Sequence, residues 1–242
     1  MTAAKSERIQ LSGASWVDKF RAPRELVPPG PLGTSLVDRL WVLRPPERGS
    51  VRIMGRTVQV PRWQQSYGRA YTFSGQTLGG GPVPPELQPY LDWANSLPQY
   101  GGRFDEILLN WYENGQHCIG KHHDDETQLI QGAPIISISL GAERTFRIRA
   151  TSGERRRDIA MPHGTVLVMG GAMQKEFSHE VPKIDGEKGK WVGRRINVTL
   201  RQFKTAASSA GGGRGSEAGG PSSSRGGDGL PPSKRQRTAA AG

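Results

Sequence analysis

The chain has 242 residues, 34% of them hydrophobic, and a formal net charge of +11. This length suits one catalytic domain with tails, and so basic a balance favours a polyanionic partner, most often nucleic acid. The single cysteine, Cys118, excludes an internal disulfide framework and a cysteine-type zinc site, and no apolar run reaches the roughly 20 residues of a membrane helix. No apolar signal segment follows Met1. We therefore expect a soluble, intracellular monomer with no membrane contact.

Composition divides the chain into three regions. Residues 1–30 are polar and interrupted by proline, which predicts a flexible N-terminal segment with a short docking stretch at 15–20. Residues 31–204 carry the apolar patterns and form the predicted catalytic domain. Residues 205–242 are rich in glycine and serine, which predicts a disordered tail, and its basic cluster at 234–237 suggests nuclear localisation or a tether to nucleic acid. The nucleus, or otherwise the cytoplasm, is the expected location.

The first predicted elements are a helix and a hairpin. Helical spacing of apolar residues over 36–43, after a capping pair at 34–35, predicts a short amphipathic helix that ends at Pro45-Pro46. Residues 51–60 are β-branched around Gly55, which predicts a hairpin with Met54 at its tip. An apolar side chain flanked by arginines can act as a wedge between stacked bases, whereas ordinary hairpin packing is the alternative for Met54.

Residues 61–75 combine aromatic and basic side chains. Tyr71 and Phe73 lie on one face of a predicted strand, and Arg62 and Arg69 are interleaved with the aromatic residues. Aromatic faces stack on bases, at about 1–3 kcal/mol per base, while arginines hold phosphates. Core packing of the rings is the competing interpretation.

Most of the remaining elements are predicted strands. A helix is predicted over 85–97, strands over 104–112, 165–169, 176–181 and 194–203, a hairpin from 134–140 and 145–148, and a charged loop at 152–157. In the last strand Arg195, Asn197, Thr199 and Arg201 share one face. Two arginines pointing into a barrel would bind a dicarboxylate through bidentate contacts, whereas arginines facing solvent are the alternative. Asn110 and Tyr112 likewise share a face.

A histidine-rich segment, G-K-H-H-D-D-E at 120–126, is the candidate metal site. Residues two apart in extended backbone point to the same side, so His122 and Asp124 can meet at one point, and the distant His179 can complete the set. Two histidines and one carboxylate with open positions are typical of non-haem Fe(II) oxygenases. His123 and Asp125 have the same spacing, so spacing alone leaves the register open, as it does a solvated loop without metal.

Four motifs occur in order: L-N-W-Y at 109–112, G-K-H-H-D-D-E at 120–126, F-S-H at 177–179 and R-I-N-V-T-L-R at 195–201. Together, over about residues 51–203, the chain resembles the AlkB family of Fe(II)/2-oxoglutarate dioxygenases, and most of all its eukaryotic-type homologues that repair alkylated DNA. The resemblance implies a mainly β (α+β) fold, a double-stranded β-helix or jelly roll with flanking helices. It implies Fe(II), 2-oxoglutarate and O2 as cofactor and co-substrates. The implied reaction is oxidative demethylation of N1-methyladenine and N3-methylcytosine in DNA, by base flipping and direct reversal.

The same resemblance assigns the site residues. The metal ligands, which are also the catalytic residues, are His122, Asp124 and His179. The residues that hold 2-oxoglutarate are Asn110, Tyr112, Arg195, Asn197 and Arg201, one arginine gripping the distal carboxylate. The base is held between Phe73 and His122, in a pocket completed by Tyr71, Ser74, Asp125 and Glu126. At the hairpin tip, Met54 stands where duplex-repairing homologues carry an aromatic residue.

Three other functions remain open. The first is the same demethylation on RNA, because the aromatic-basic segment suits single strands of either kind. The second is oxidation of a protein side chain, which the net charge and the base pocket argue against. The third is a non-catalytic nucleic-acid-binding protein with a vestigial metal site, which the intact ligands and both arginines argue against.

Overall fold

The computed structural model describes residues 6–53, 55–73 and 76–205, without the side chains of residues 31, 32, 34, 52, 53, 73 and 76. Two residues predicted to contact the substrate, Met54 and Ser74, therefore lie outside the described residues, as do the side chain of Phe73 and the basic cluster at 234–237.

Strands outnumber helices in the described chain. The strands are β1 (Glu7–Gln10), β2 (Ser15–Arg21), β3 (Ser50–Ile53), β4 (Arg56–Gln59), β5 (Trp63–Tyr67), β6 (Tyr71–Phe73), β7 (Gln76–Leu78), β8 (Glu106–Tyr112), β9 (Ile119–His122), β10 (Ile135–Gly141), β11 (Arg144–Ala150), β12 (Arg156–Met161), β13 (Thr165–Gly171), β14 (Phe177–Val181) and β15 (Arg195–Arg201). The helices are α1 (Gly30–Trp41), α2 (Gln88–Asn95), α3 (Met173–Glu176) and α4 (Gly186–Lys190), with a 3-10 turn at Pro98–Tyr100. No helix in the described ranges is both long and apolar enough to cross a membrane.

Two antiparallel sheets form the body of the described chain. The larger has the order β1-β2-β13-β10-β15-β8-β5, and the smaller has the order β12-β11-β14-β9. Strands that are distant in sequence lie side by side in both sheets, which is the topology of a jelly roll. The predicted mainly β jelly-roll class is confirmed.

The core lies on both faces of the larger sheet. On the outer face, Leu40 of α1 and Tyr90 of α2 pack in one cluster with Ile196 and Val198 of β15. Between the sheets, residues of β11 and β14 such as Phe146 and Phe177 pack with those of β13. All seven residues of β15 are buried, so its polar face is also enclosed, between the sheets. Buried polar groups require partners, and this face therefore forms a polar interior.

The N-terminal region departs from the prediction. Residues 7–21, predicted to be mostly flexible, form β1 and β2, and β2 pairs with β13 along its whole length. An ion pair between the exposed Arg8 and the buried Asp18, Nε to Oδ1 at 2.7 Å, and a hydrogen bond from the Tyr100 hydroxyl to Asp18 at 2.9 Å hold this edge. The prediction was wrong because the partner strand lies far along the chain and leaves no local signal.

The predicted hairpin of residues 134–140 and 145–148 is also wrong. β10 pairs with β13 and β15 in the larger sheet, whereas β11 pairs with β12 and β14 in the smaller one. Gly141, with a φ of 88°, lies at the turn that carries the chain between the sheets. The predicted charged loop at 152–157 is shortened, because Arg156 already starts β12. Alternation identifies a strand but does not choose its partner.

The helices and the first hairpin follow the predictions more closely. β3 and β4 pair directly, with Val51 opposite Val58, which confirms the hairpin. α2 lies inside the predicted range. α1 begins earlier than predicted, at Gly30, and no side chain caps it. Pro31 occupies its first turn, where a missing N–H costs nothing because that N–H has no helical partner.

Candidate active site

Three candidate metal ligands meet between β9 and β14 of the smaller sheet. The strand pairing sets His179 directly opposite His122, and Asp124 follows β9 by two residues. One ligand atom from each of the three side chains lies within 4.8 Å of the other two. The structure thus brings His122 and Asp124 together with His179. Asp125 is exposed, and the partly buried His123 is not in the cluster.

The protonation states of the three side chains suit a cation. Nδ1 of His122 lies 2.8 Å from the Gly120 carbonyl oxygen, so Nδ1–H donates there and Nε2 is left as a ligand. Burial lowers the pKa of His122, and burial together with the nearby His122 lowers the pKa of His179 to about 3. Burial opposes ionisation of Asp124, but Arg201 and both histidines outweigh it and lower its pKa to about 2. Neutral imidazoles and a carboxylate are the forms that bind metal.

Contacts around the ligands fix Asp124 in place. Arg201 Nη2 donates to Asp124 Oδ1 at 2.7 Å, and the backbone N–H of Asp124 donates to Gln174 Oε1 at 2.9 Å. The other carboxylate oxygen, Oδ2, faces His179 Nε2 at 3.7 Å. Phe146 stacks on the His179 ring with the centroids 5.2 Å apart. Oδ2 is therefore the oxygen left for a metal, and Gln174 is a contributor that no sequence pattern identifies.

A buried polar row runs from the metal ligands along β15 and β8. Strand pairing sets Arg195 opposite Tyr112, and Asn197 opposite Asn110. Arg195 Nη2 donates to Ser139 Oγ at 2.8 Å and to Asn197 Oδ1 at 2.7 Å, and its guanidinium lies 4.9 Å from the Tyr112 ring centroid. Its Nε and Nη1 are buried without a well-formed hydrogen bond. Among the residues that the structure describes, no carboxylate contacts this cation, so the interior favours an added anion.

Arg201 has different surroundings at the other end of the same face. Besides Asp124, it contacts Glu106, with Nη1 and Oε2 3.5 Å apart, and its guanidinium lies 4.5 Å from the Tyr71 ring centroid. Two carboxyl groups thus already face this guanidinium. Its Nε is the donor without a hydrogen bond. Of the two predicted dicarboxylate-binding arginines, Arg195 has the larger unfilled capacity.

The predicted base pocket is brought together in part. The Tyr71 hydroxyl donates to Glu126 Oε1, and Oε2 of Glu126 is buried without a hydrogen bond. Burial raises the pKa of Glu126. Asp125 is exposed beside them. A cavity of about 230 Å³ borders Asp124 and Arg201, so the ligand carboxylate adjoins open space.

The buried Arg62 changes the interpretation of the aromatic-basic segment, and Arg144 is a second buried arginine, outside that segment. Arg62, predicted to hold phosphates, is buried and donates to Asn110 Oδ1 at 2.6 Å and to Gln64 Oε1 at 2.8 Å. That prediction was wrong, because Arg62, just before β5, lies on the inward side of the alternation that buries Gln64 and Ser66. Arg69 is exposed but pairs with Asp105 at 2.9 Å. Arg144, also missed, donates to the carbonyl oxygens of His117 and Pro182 and closes the loops around Tyr112.

Comparison with known proteins gives a consistent family. The family model described as "2OG-Fe(II) oxygenase superfamily" matches residues 49–201. "DNA oxidative demethylase ALKBH2" of Homo sapiens is 35% identical over 164 residues, which cover 63% of this chain and 60% of that protein. "Alpha-ketoglutarate-dependent dioxygenase alkB homolog 3" of Homo sapiens is 34% identical over 157 residues, which cover 60% of this chain and 52% of that protein.

The match to these relatives is partial in length. The bovine "DNA oxidative demethylase ALKBH2", 35% identical, is covered over 57% of its length, so the chain spans less than two thirds of these relatives. Among solved structures, "The structure of OsALKBH1" matches 81% of this chain and 100% of that one, with a TM-score of 0.52 and 18% identity. That similarity concerns the fold alone.

Proposed function

Because the chain belongs to the 2OG-Fe(II) oxygenase superfamily, as a member of its AlkB family, we propose that it oxidatively demethylates N-alkylated bases in DNA. The proposed lesions are N1-methyladenine and N3-methylcytosine. The observation that carries the proposal is the cluster of two histidines and one carboxylate, which contacts Arg201, together with the buried Arg195 on the same face of β15, whose Nε and Nη1 have no hydrogen bond. The names of the relatives supply the substrate class.

The residues present fit Fe(II). His122, Asp124 and His179 give two neutral nitrogens and one carboxylate oxygen, the donor set typical of non-haem Fe(II) oxygenases. The Gly120 carbonyl orients His122, while Arg201 and Gln174 orient Asp124. When bound, Fe(II) supplies oxidation of the N-methyl group with O2 and 2-oxoglutarate, which yields succinate and CO2, and the hydroxymethylated base then releases formaldehyde.

Arg195 is the proposed partner of the distal carboxylate of 2-oxoglutarate. Its Nε and Nη1 have unfilled donor capacity, so either can donate to a carboxylate oxygen, and Tyr112 lies beside them. Asn197 accepts from Arg195 and so fixes its position, and Arg62 fixes Asn110 in the same way. Arg201 keeps Nε for the end of the co-substrate nearer the metal. This assignment follows from charge, because Arg201 already faces Asp124 and Glu106.

The alkylated base is proposed to enter between Phe73 and His122. Tyr71, Ser74, Asp125 and Glu126 would surround it, with Met54 as the wedge that occupies the vacated position in the duplex. A base methylated at N1 of adenine or N3 of cytosine is cationic, so the carboxyl group of Glu126 would attract it. The methyl group lies inside a duplex, and a damaged, unpaired base costs least to extrude. DNA as substrate, together with the cluster at 234–237, supports a nuclear location.

Alanine variants of neighbouring histidines test the proposal. His122→Ala and His179→Ala should each abolish formaldehyde release from single-stranded DNA that contains N1-methyladenine, because each removes a ligand. His123→Ala, the matched control on the same segment, should retain turnover. Formaldehyde release, measured with added Fe(II) and 2-oxoglutarate, checks the ligand variants and the control alike. If His123→Ala were as inactive as the ligand variants, the assigned ligand set would be wrong.

A further inference from the structure

Glu106 is a buried carboxyl group for which the proposed reaction has no use. It is 0% exposed at the start of β8, and strand pairing sets it directly opposite Arg201. Its Oε2 lies 3.5 Å from Arg201 Nη1, while the other side of the same guanidinium binds the metal ligand Asp124 at 2.7 Å. Charged groups are seldom buried without a role or a partner. The guanidinium thus spans from Glu106 to Asp124.

The position of Arg201 decides which oxygen of Asp124 would be left for a metal. Because Nη2 occupies Oδ1, Oδ2 is left toward His179, at 3.7 Å from its Nε2. The Tyr71 ring covers the guanidinium at 4.5 Å from its centroid. Without Glu106, Nη1 would lose the acceptor opposite Asp124. A group that holds Arg201 in this position therefore acts on Asp124 indirectly, through Arg201.

A second contact holds Glu106 itself. Ser66 Oγ lies 2.7 Å from Glu106 Oε1 and 2.8 Å from the Arg69 carbonyl oxygen. A hydroxyl has one proton and cannot donate to both oxygens, and a carbonyl cannot donate at all. The contacts are all satisfied when Glu106 carries a proton and donates to Ser66, which in turn donates to Arg69. Burial raises the pKa of Glu106 to about 7, in agreement with a neutral acid.

We propose that Glu106 is a positioning residue for the metal centre: through Arg201 it holds Asp124 so that one carboxylate oxygen faces the metal. This rests on the proposed function only in taking His122, Asp124 and His179 as metal ligands. Groups that hydrogen-bond a metal ligand, as Arg201 does Asp124, commonly contribute 10–100-fold to metal affinity, and Glu106 acts through Arg201. The role does not require Glu106 to touch metal, co-substrate or base.

Cobalt binding tests this without any nucleic acid or 2-oxoglutarate. Co(II) is titrated into the full chain, and its visible absorption reports both affinity and coordination. Glu106→Leu should weaken binding about tenfold or more and alter the spectrum, because Asp124 Oδ1 is freed to turn to the metal. Glu106→Gln keeps an acceptor for Arg201 and should stay close to wild type. Glu113→Gln, an exposed glutamate just after the same strand, is the matched control and should change neither.

A variant with only a folding defect would bind less cobalt, but the cobalt that it binds would keep the wild-type spectrum. A changed spectrum therefore distinguishes a positioning role from a folding defect. A folded Glu106→Leu variant with wild-type affinity and spectrum would overturn the proposal. Glu106→Asp, which withdraws the carboxyl by one methylene, gives the same test if the leucine variant does not fold: weaker cobalt binding supports the role, and unchanged binding refutes it. A wild type that binds no cobalt would refute the metal centre and this role together. Cobalt binding without turnover on DNA would contradict only the proposed function.

Discussion

At the scale of single residues, charge balance separates the two arginines of β15. Arg195 is buried with neutral partners, and Arg201 is buried between two carboxyl groups. A dianionic co-substrate therefore gains most beside Arg195. The pairing also helps to explain why Asp124 stays ionised in a buried site: burial raises its pKa, and Arg201 together with the two histidines lowers it further than burial raises it.

The raised pKa of Glu106 predicts a pH-dependent stability difference. The ordinary value is 4.5 and the folded value about 7, so between these limits the folded chain holds a proton that the unfolded chain has lost. The free energy of unfolding then falls as pH rises, at up to about 1.4 kcal/mol per pH unit for this group. Glu106→Gln should remove that fall. Urea unfolding at pH 5 and pH 7 measures it.

The free energy of unfolding of Glu106→Gln is compared with that of wild type at each pH, so the contributions of all other titrating groups cancel. The glutamine variant should gain stability relative to wild type between pH 5 and pH 7. Parallel pH dependences in the two proteins would show that Glu106 is ionised in the folded state throughout.

At the scale of elements, the two sheets depend on the turn after β10. Gly141 has a φ of 88°, and a Cβ there would lie 2.3 Å from the Arg194 carbonyl oxygen. Gly141 also pairs with Arg195 across β10 and β15. The turn that sends the chain to the smaller sheet thus lies beside the proposed anchor of 2-oxoglutarate.

Gly141→Ala should therefore destabilise the fold by about 2 kcal/mol or more, from left-handed backbone strain and the clash together. It should also raise the KM for 2-oxoglutarate more than it lowers kcat. Gly153→Ala is the matched control, because Gly153 has a φ of 78° with nothing within 4 Å of an added Cβ. Thermal unfolding compares them. If both variants lost the same stability, the close approach of an added Cβ to the Arg194 carbonyl oxygen would contribute nothing.

The β3–β4 hairpin predicts how the chain treats duplexes. Met54→Ala should reduce turnover on duplex DNA more than on single strands, because only a duplex leaves a gap for a wedge to fill. The duplex-to-single-strand ratio of initial rates measures this. An equal loss of turnover on both substrates would show that Met54 does not act as a wedge.

The contrast between predicted and observed elements has a physical cause. His122, Asp124, His179 and the β15 arginines were proposed from the sequence, from the H-x-D spacing and the alternation in β15, but only the resemblance to the AlkB family chose His122 and Asp124 over His123 and Asp125. Gln174 was not predicted, since it reaches the site from an element that only the folded chain brings near, and Glu106 was not, since its contact with Arg201 depends on the pairing of β8 with β15. β2 and the partners of β10 escaped prediction for the same reason: strand pairing is non-local.

At the scale of the whole molecule, the charge is distributed unevenly. Residues 206–242 contain five basic and two acidic residues, so their removal lowers the net charge of +11 by 3, to +8. Every proposed site residue lies before them. The remaining chain is basic enough to attract nucleic acid by itself.

Truncation after Thr205 should accordingly leave kcat on a short methylated oligonucleotide nearly unchanged and weaken DNA binding modestly. The dependence of binding on salt should become shallower, because fewer phosphate contacts release fewer counterions. Fluorescence anisotropy at several salt concentrations measures the slope. Loss of kcat on truncation would place part of the active site in the tail.

The most direct test of the central claim compares three matched substrates that carry N1-methyladenine: single-stranded DNA, duplex DNA and RNA. Formaldehyde and restored adenine are measured with Fe(II) and 2-oxoglutarate at one fixed salt concentration, because phosphate binding depends on salt. The account predicts turnover on DNA that disappears in His179→Ala. Turnover on RNA alone would make the chain an RNA demethylase, and no turnover on any substrate, despite bound metal and 2-oxoglutarate, would contradict base demethylation.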